Sequence, residues 1–422
     1  MTATASLTLT NSDSKKQSTQ TDEKYLTFFT HSGFQNQLIQ VENGILLAWY
    51  LNRTLILPKA LLGEAFGWNP FYRLELHHKV RDTANNDCKQ FKDKKSRKLA
   101  SCPDPLKYTL ASFDDLFDLS WAKRHINIIE REQSDFDWLQ TRFGIKRDIL
   151  NSKNKSQQQA TGVYIDRDIL FFKDKTRYDW RIYDVPVKNP FLGKYTASLD
   201  VSQLKNYSQK LIHFTSLFGT GKFPIKKSEN IEFFKSLQKS MTYKHPAVLK
   251  ITDVVVELLG GAGNYVGVHL RTADGLFVKE LPENIQYVIN HISTLSFSSK
   301  DNLSNYNHYS LSECVLLAKA NQTTLVFLAT DAIRSRMDKR FHHLWSHLPC
   351  TFTLDEILEA NNPIWSHMDK YRTSHTGESM RKYLIPLVDA LVASKGVKFV
   401  GTKGSTFSGY IHRLHQNYWS ST

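Results

Sequence analysis

The sequence predicts an α/β protein built as two facing Rossmann-like domains, with a ligand site in the cleft between them. Three observations predict this. A strand, a helix and a second strand follow one another within residues 25–58, a rhythm that only a parallel βαβ unit explains. The rhythm returns after Pro246. Three apolar strands of that second half end in polar or charged residues at their carboxyl ends, the edge where open parallel sheets bind ligands. A chain of 422 residues with 41% apolar residues can bury a core in each half. The expected division is a tail over 1–23, a first domain over 24–245 and a second domain over 246–422.

Residues 1–23 are Ser/Thr/Lys-rich with no apolar run, which predicts a disordered tail and leaves no room for the apolar core of a signal peptide. YLTFFTH (25–31) reads as a short buried strand, and Ser32–Gly33 as a turn. Leu38, Val41, Ile45, Leu46 and Trp49 then recur at helical spacing. TLILP (54–58) is the next strand, stopped by Pro58. Residues 60–160 are less regular, and the polar stretches 82–105 and 151–160 read as surface insertions. KLIHFTSLFG (210–219) is a strand ending in a glycine turn, followed by a helix over about 229–241 and a break at Pro246. AVLKITDVVVELLGG (247–261) is an amphipathic helix closed by glycines. The strands NYVGVHLR (264–271) and TTLVFLATD (323–331) end in His269, Arg271 and Asp331. A helix from Gly377 to Ser394, the strand VKFVGT (397–402) and a helix from near Ser405 complete the pattern.

The formal charge of +14 favours anionic partners. The basic residues are nevertheless broken up, as in KDKKSRK (92–98), and no aromatic-plus-basic RNA-reading motif occurs, so nucleic acid is not an expected partner. No run of 18 apolar residues predicts a membrane span, and the chain as written reads as cytoplasmic. Four cysteines are too few for a disulfide framework and too dispersed for zinc. Cys88 and Cys102 share one Lys-rich loop, where a bridge and two unpaired thiols both stay open.

Three segments carry chemistry. In GTKGSTFSGYIHRLH (401–415), a strand delivers a glycine turn to Ser405 and Thr406 at a helix start. Exposed amides and two hydroxyls there make a cradle for a diphosphate, unless Ser405 is only an N-cap. In HLRTAD (269–274), Arg271 stands at a strand tip where its planar fork can meet phosphate oxygens. His269 and Asp274 orient it, unless Arg271 and Asp274 simply form a surface ion pair. HSGFQNQ (31–37) opens the first helix but is not GxGxxG, which disfavours a dinucleotide cofactor; helix capping is its plainer reading.

HSGFQNQLIQVENGILLAWYLNRTLILP, VGVHLRTAD, FLATD and FVGTKGSTFSGYI, in that order, resemble the protein O-fucosyltransferase superfamily over most of 24–417, weakly across 60–205. The first helix, with its NQ and LNRT, most resembles the branch that fucosylates small extracellular disulfide-rich repeats. The resemblance implies a GT-B fold and an inverting, metal-independent transfer of fucose from GDP-fucose to a protein Ser or Thr. No cofactor beyond the donor substrate is implied. Arg271 matches the catalytic arginine that stabilises the departing GDP. Asp389 matches the acid that accepts from guanine, while Ser405, Thr406 and Phe407 match the phosphate-holding element. His269 falls near ribose or phosphate, Phe34 joins the sugar-nucleotide pocket, and Asn36 matches the asparagine beside fucose and the acceptor hydroxyl. Asp135-Phe-Asp137 and Asp166-Arg-Asp168 satisfy a metal-binding DxD string but lie off the ligand edge, so no metal is expected. Gly33 and Gln35 depart from that branch, which usually has arginine and glycine there. They keep open the alternative of a catalytically inactive protein that binds a nucleotide sugar or a polypeptide. The acceptor, polypeptide or glycan, would be read by 60–205, and the family's usual address is the ER or Golgi.

Overall fold

The computed structural model describes residues 23–83, 102–148, 162–273, 275–293 and 309–420. The expected tail apart from Glu23, most of the two expected insertions, Cys88 and Asp274 lie outside the described residues.

The first half supplies β1 (Tyr25–Phe28), α1 (Phe34–Leu51), β2 (Thr54–Leu57), β3 (Ala60–Gly63), β4 (Tyr108–Ala111), β5 (Ile128–Glu130), β6 (Val163–Asp166), β7 (Ile169–Phe172), β8 (Trp180–Tyr183), β9 (Ala197–Asp200), β10 (Leu211–Phe214) and α2 (Ser228–Ser240). Six of these strands form a sheet in the order β5-β2-β1-β10-β7-β6, parallel throughout except for the edge strand β6. β3 with β4 and β8 with β9 form separate two-stranded pairs. The central strands YLTF, ILFF and LIHF are buried along their whole length, as parallel strands covered on both faces must be.

The second half runs through α3 (Pro246–Leu258), β11 (Val266–Leu270), α4 (Gly275–Ser293), α5 (Leu311–Lys319), β12 (Val326–Thr330), β13 (Thr351–Phe352), α6 (Arg381–Ser394), β14 (Lys398–Gly401) and α7 (Thr406–Trp419). Its sheet is all parallel, in the order β13-β12-β11-β14. The chain is therefore α/β with mixed sheets.

Pro246 does not break a helix; it is the first residue of α3, where its missing N–H costs nothing. α6 begins at Arg381 rather than Gly377. α4 and α5 were not legible in advance, the first because Pro282 interrupts its apolar pattern. Contrary to the expectation from the cysteine count, Cys314 on α5 is bridged to Cys350, just before β13, across 36 residues of sequence. Cys102 is also disulfide-bonded.

Two close approaches set the site's frame. Gly267 in β11 lies so near α6 that a Cβ there would stand 1.9 Å from the Ala393 carbonyl oxygen. Gly401, the last residue of β14, leaves 2.8 Å between such a Cβ and Ser408 Cβ in the first turn of α7. The end of the chain then returns to the first half: Tyr410 donates its hydroxyl to the Met241 carbonyl (3.0 Å), and Arg413 pairs with Glu42 on α1 (2.6 Å). No helix among the described residues is long and apolar enough to cross a membrane.

Candidate active site

β11 and β14 pair in parallel with His269 opposite Gly401, so their carboxyl ends finish side by side. Thr402 locks the two tips together. Its amide and hydroxyl both donate to the His269 carbonyl (3.0 and 3.1 Å), and its Oγ1 accepts from the Arg271 amide (3.0 Å). Beyond it, Gly404 takes φ +77°, a left-handed turn that glycine enters without strain. Ser405 then caps α7, its Oγ accepting from the Ser408 amide (3.3 Å). A helix start leaves first-turn amides without carbonyl partners inside the helix, so Thr406 and Phe407 open α7 with N–H groups suited to an anion.

His269 is buried. Its Nδ1 meets Ser408 Oγ at 2.6 Å, and its ring packs edge-on to Phe407 with centroids 4.9 Å apart. Burial pushes its pKa down to about 4; Asp331 opposes that shift and Arg271 adds to it. The imidazole is thus neutral at physiological pH and pins the first turn of α7 onto β11, supplying no positive charge.

Asp331, at the tip of β12, shapes the loop after Arg271. One carboxylate oxygen accepts from the amide (2.6 Å) and hydroxyl (2.9 Å) of Thr272, and the other from the Ala273 amide (3.3 Å). The sequence placed Asp331 at a strand end without giving it this role. The Arg271 guanidinium carbon stands 5.3 Å from the Phe277 ring centre on α4.

Asp389 lies on α6, the helix that β11 touches through Gly267. It keeps some solvent access yet is ringed by protein. Burial, with the charge of Asp355 adding to it, pushes its carboxyl up to about 8. No hydrogen-bond donor reaches it among the described residues. Such a carboxyl is costly to ionise until a donor edge arrives.

The remaining expected residues sit at the head of α1, on the first sheet's side. Phe34 stacks on Phe117 (5.4 Å) and Phe113 (6.1 Å), so its ring is held in an aromatic cluster. Gln35 donates to the Tyr243 hydroxyl (2.5 Å). Asn36 keeps its Oδ1 buried with no hydrogen-bond donor among the described residues. The turn before it is fixed by a buried network. Gln40 donates to the carbonyls of His31 (3.0 Å) and Asn36 (3.1 Å), and Ser216 bridges Gln40 Oε1 (3.1 Å) and His31 Nε2 (2.8 Å).

Beside that network, at the carboxyl ends of β7 and β10, lie two charged groups that sequence reading missed. Lys222 is 1% exposed and Asp174 is 3% exposed, and the Lys222 ammonium has no hydrogen-bond partner among the described residues. Burial raises Asp174 to about 7 against the pull of Lys222, and burial lowers Lys222. The GTGK turn at 219–222, after a buried strand, was the available signal.

The two DxD strings are occupied with loop structure. Asp135 caps the helix Phe136–Phe143 by accepting from Trp138 N (2.7 Å). Asp166 accepts from Asp148 N (2.7 Å), and Asp168 from Lys146 N (2.8 Å). One cavity of about 870 Å³, lined by Lys24, Trp49, Arg53 and Lys123 among others, opens at the amino ends of β1 and β2. Another, of about 270 Å³, lies at the amino ends of β11 and β12. Neither is lined by Arg271, Thr402 or Ser405. Strand polarity, not cavity size, marks the candidate site.

Among known proteins, the chain shares 49% identity over 61 residues with O-fucosyltransferase 30 of Arabidopsis thaliana, a stretch covering 14% of this chain and 12% of that relative. Solved structures similar to it include POFUT1 in complex with GDP-fucose (12% identity, 93% of this chain and 94% of that one, TM-score 0.40). They also include the fucosyltransferase NodZ from Bradyrhizobium (11% identity, 92% and 91%, TM-score 0.40). Those scores add nothing to the assignment. The model of the family described as GDP-fucose protein O-fucosyltransferase matches residues 25–418. The chain belongs to the GDP-fucose protein O-fucosyltransferase family, a family of glycosyltransferases.

Proposed function

We propose that this protein is an inverting, metal-independent transferase that moves fucose from GDP-fucose to a Ser or Thr hydroxyl of a polypeptide, in a cleft between the two sheets. Residues 24–245 form the acceptor side and residues 246–422 the donor side. The observation that carries the reading is the junction of β11 and β14, where the Arg271 backbone is bonded to Thr402 three residues before the α7 cap. The Arg271 backbone and a helix start thereby meet at one sheet edge. Fucosyl transfer builds negative charge on the leaving diphosphate while the sugar becomes oxocarbenium-like. Arg271, the Ser405 and Thr406 hydroxyls and the first-turn amides supply donors where that charge grows, each worth ~3 kcal/mol when fixed in advance. Asp389 receives the guanine donor edge. Asn36 offers its buried Oδ1 to the acceptor hydroxyl, orienting the attack without acting as a base. His269 and Phe407 hold the α7 start in place.

The Cys314–Cys350 bridge supports an oxidising compartment, in keeping with an ER or Golgi address. Titration calorimetry with GDP, UDP and ADP, alongside transfer of labelled fucose to peptide acceptors, tests the reading. Preference for UDP would remove the guanine assignment. The second reading, a binding protein without turnover, is favoured by the contact of Gln35 with Tyr243 in place of the branch's glycine. GDP binding with neither transfer nor donor hydrolysis would select it.

A further inference from the structure

We infer that Glu42 and Arg413 are a positioning pair: their buried ion pair sets the head of α1, with Asn36, against the head of α7, with Ser405 and Thr406. The inference rests on the proposed transfer reaction. Glu42 is 1% exposed; one of its oxygens accepts from Arg413 (2.6 Å) and the other from Gln238 on α2 (3.3 Å). A buried ion pair is weak support for stability, because apolar residues of similar volume hold a fold as well or better, but it does fix direction and register. Here it joins two helices from opposite halves of the chain.

The pair lies at similar depth behind both helix starts. Six residues separate Asn36 from Glu42 and seven separate Thr406 from Arg413, or roughly 9 and 10 Å at the α-helical rise. Aromatic contacts fill the space between. Phe34 stacks on Phe117, which meets the Tyr410 ring at 6.1 Å; Tyr243, the partner of Gln35, meets Tyr410 at 5.2 Å. The Arg413 guanidinium carbon stands 4.9 Å from that same Tyr410 ring centre. The brace therefore runs from Phe34 and Gln35 to one turn of α7. Tilting α7 by about 10° around the pair, together with the β11 edge to which His269 holds it, would move its head by about 2 Å relative to Asn36 and leave the donor cradle intact. Misplacement of only 1 Å can cost about 100-fold in rate.

Hydrolysis of GDP-fucose by water uses the donor cradle alone, whereas transfer to a peptide uses both helix heads. The test compares the two rates, each per GDP-binding site measured by calorimetry, in the full-length protein and its Arg413→Met, Glu42→Gln and doubly substituted variants. The expected result is a 10- to 100-fold fall in transfer kcat, with GDP affinity and donor hydrolysis within threefold of the unsubstituted protein, and a double variant no worse than Arg413→Met. Wild-type transfer in the variants, or an equal fall in hydrolysis and transfer, overturns the inference while leaving the proposed function standing. If Arg413→Met does not fold, the near-isosteric Glu42→Gln carries the comparison; failure of both to fold makes the pair structural and overturns the role. Absence of GDP binding and transfer in the unsubstituted protein would instead sink the proposed function, and this pair's role with it.

Discussion

Replacing Asp389 by Asn tests the carboxyl on which the proposed nucleotide recognition depends. The carboxyl is pushed up from 3.8 to about 8, chiefly by burial. About four pH units at ~1.4 kcal/mol each set a ceiling on the order of 5 kcal/mol for the cost of ionising it in the folded, ligand-free protein. Its partial solvent access screens part of that, and we expect about 2 kcal/mol. Below pH ~4 the carboxyl is protonated in folded and unfolded chains alike, and the substitution changes nothing. Between pH ~4 and 8 the unfolded chain releases its proton while the folded protein retains it, so stability falls as pH rises. Asn does not ionise and escapes that loss. The ligand-free variant should melt ~2–5 °C above the unsubstituted protein at pH 8 and level with it near pH 3, read by differential scanning fluorimetry. Binding should behave the other way. If guanine takes the carboxylate as proposed, GDP affinity of the unsubstituted protein should rise as pH is raised from ~4 towards 8, with uptake of the nucleotide releasing a proton. The Asn variant should bind weakly with a flat profile. Equal shifts in melting at both pH values, or a pH-independent GDP affinity in the unsubstituted protein, would refute the account.

Arg271→Ala should lower turnover by about 100-fold or more with the melting temperature within ~2 °C, since the loop it leaves is still held by Asp331 and Thr402. Unfolding of that variant would make Arg271 structural. Gly267→Ala puts a Cβ against the Ala393 carbonyl, so α6 must move off β11. A loss of ~1–3 kcal/mol in denaturant unfolding, together with weaker GDP binding through Asp389, should follow. Replacing Cys314 and Cys350 together by Ser opens a closure of 36 residues and should cost ~2–4 kcal/mol, with sensitivity to reductant lost from the melting curve. Retained sensitivity would assign it to the bridge at Cys102.

His269 changes meaning between sequence and structure. At a strand tip beside Arg271, it reads as a residue that orients the guanidinium, and the resemblance puts it near ribose or phosphate. In the fold, burial and the neighbouring guanidinium keep it neutral, and its Nδ1 is engaged by Ser408. In the proposed reaction, positive charge is thereby left to Arg271 and the α7 start. Phe34 shifts likewise, from an expected pocket residue to the middle of an aromatic stack that reaches α7 through Phe117.

What the sequence by itself determined is local. Buried parallel strands appear as unbroken apolar runs, and the strand–turn–helix start at 398–406 appears as glycine followed by hydroxyls, because each depends on residues that are neighbours in the chain. That was enough to find the βαβ rhythm, the tips of β11 and β14, and Ser405 as a cap. The short strands β5 to β9 escaped notice, since three or four residues between irregular loops carry too little periodicity. Only the tertiary structure decided which distant groups meet: Asp331 with the loop after Arg271, Cys314 with Cys350, Lys222 beside Asp174, and Glu42 with Arg413 across 371 residues. Such pairs are chosen by packing and by the need to compensate buried charge, and neither leaves a periodic trace along the chain.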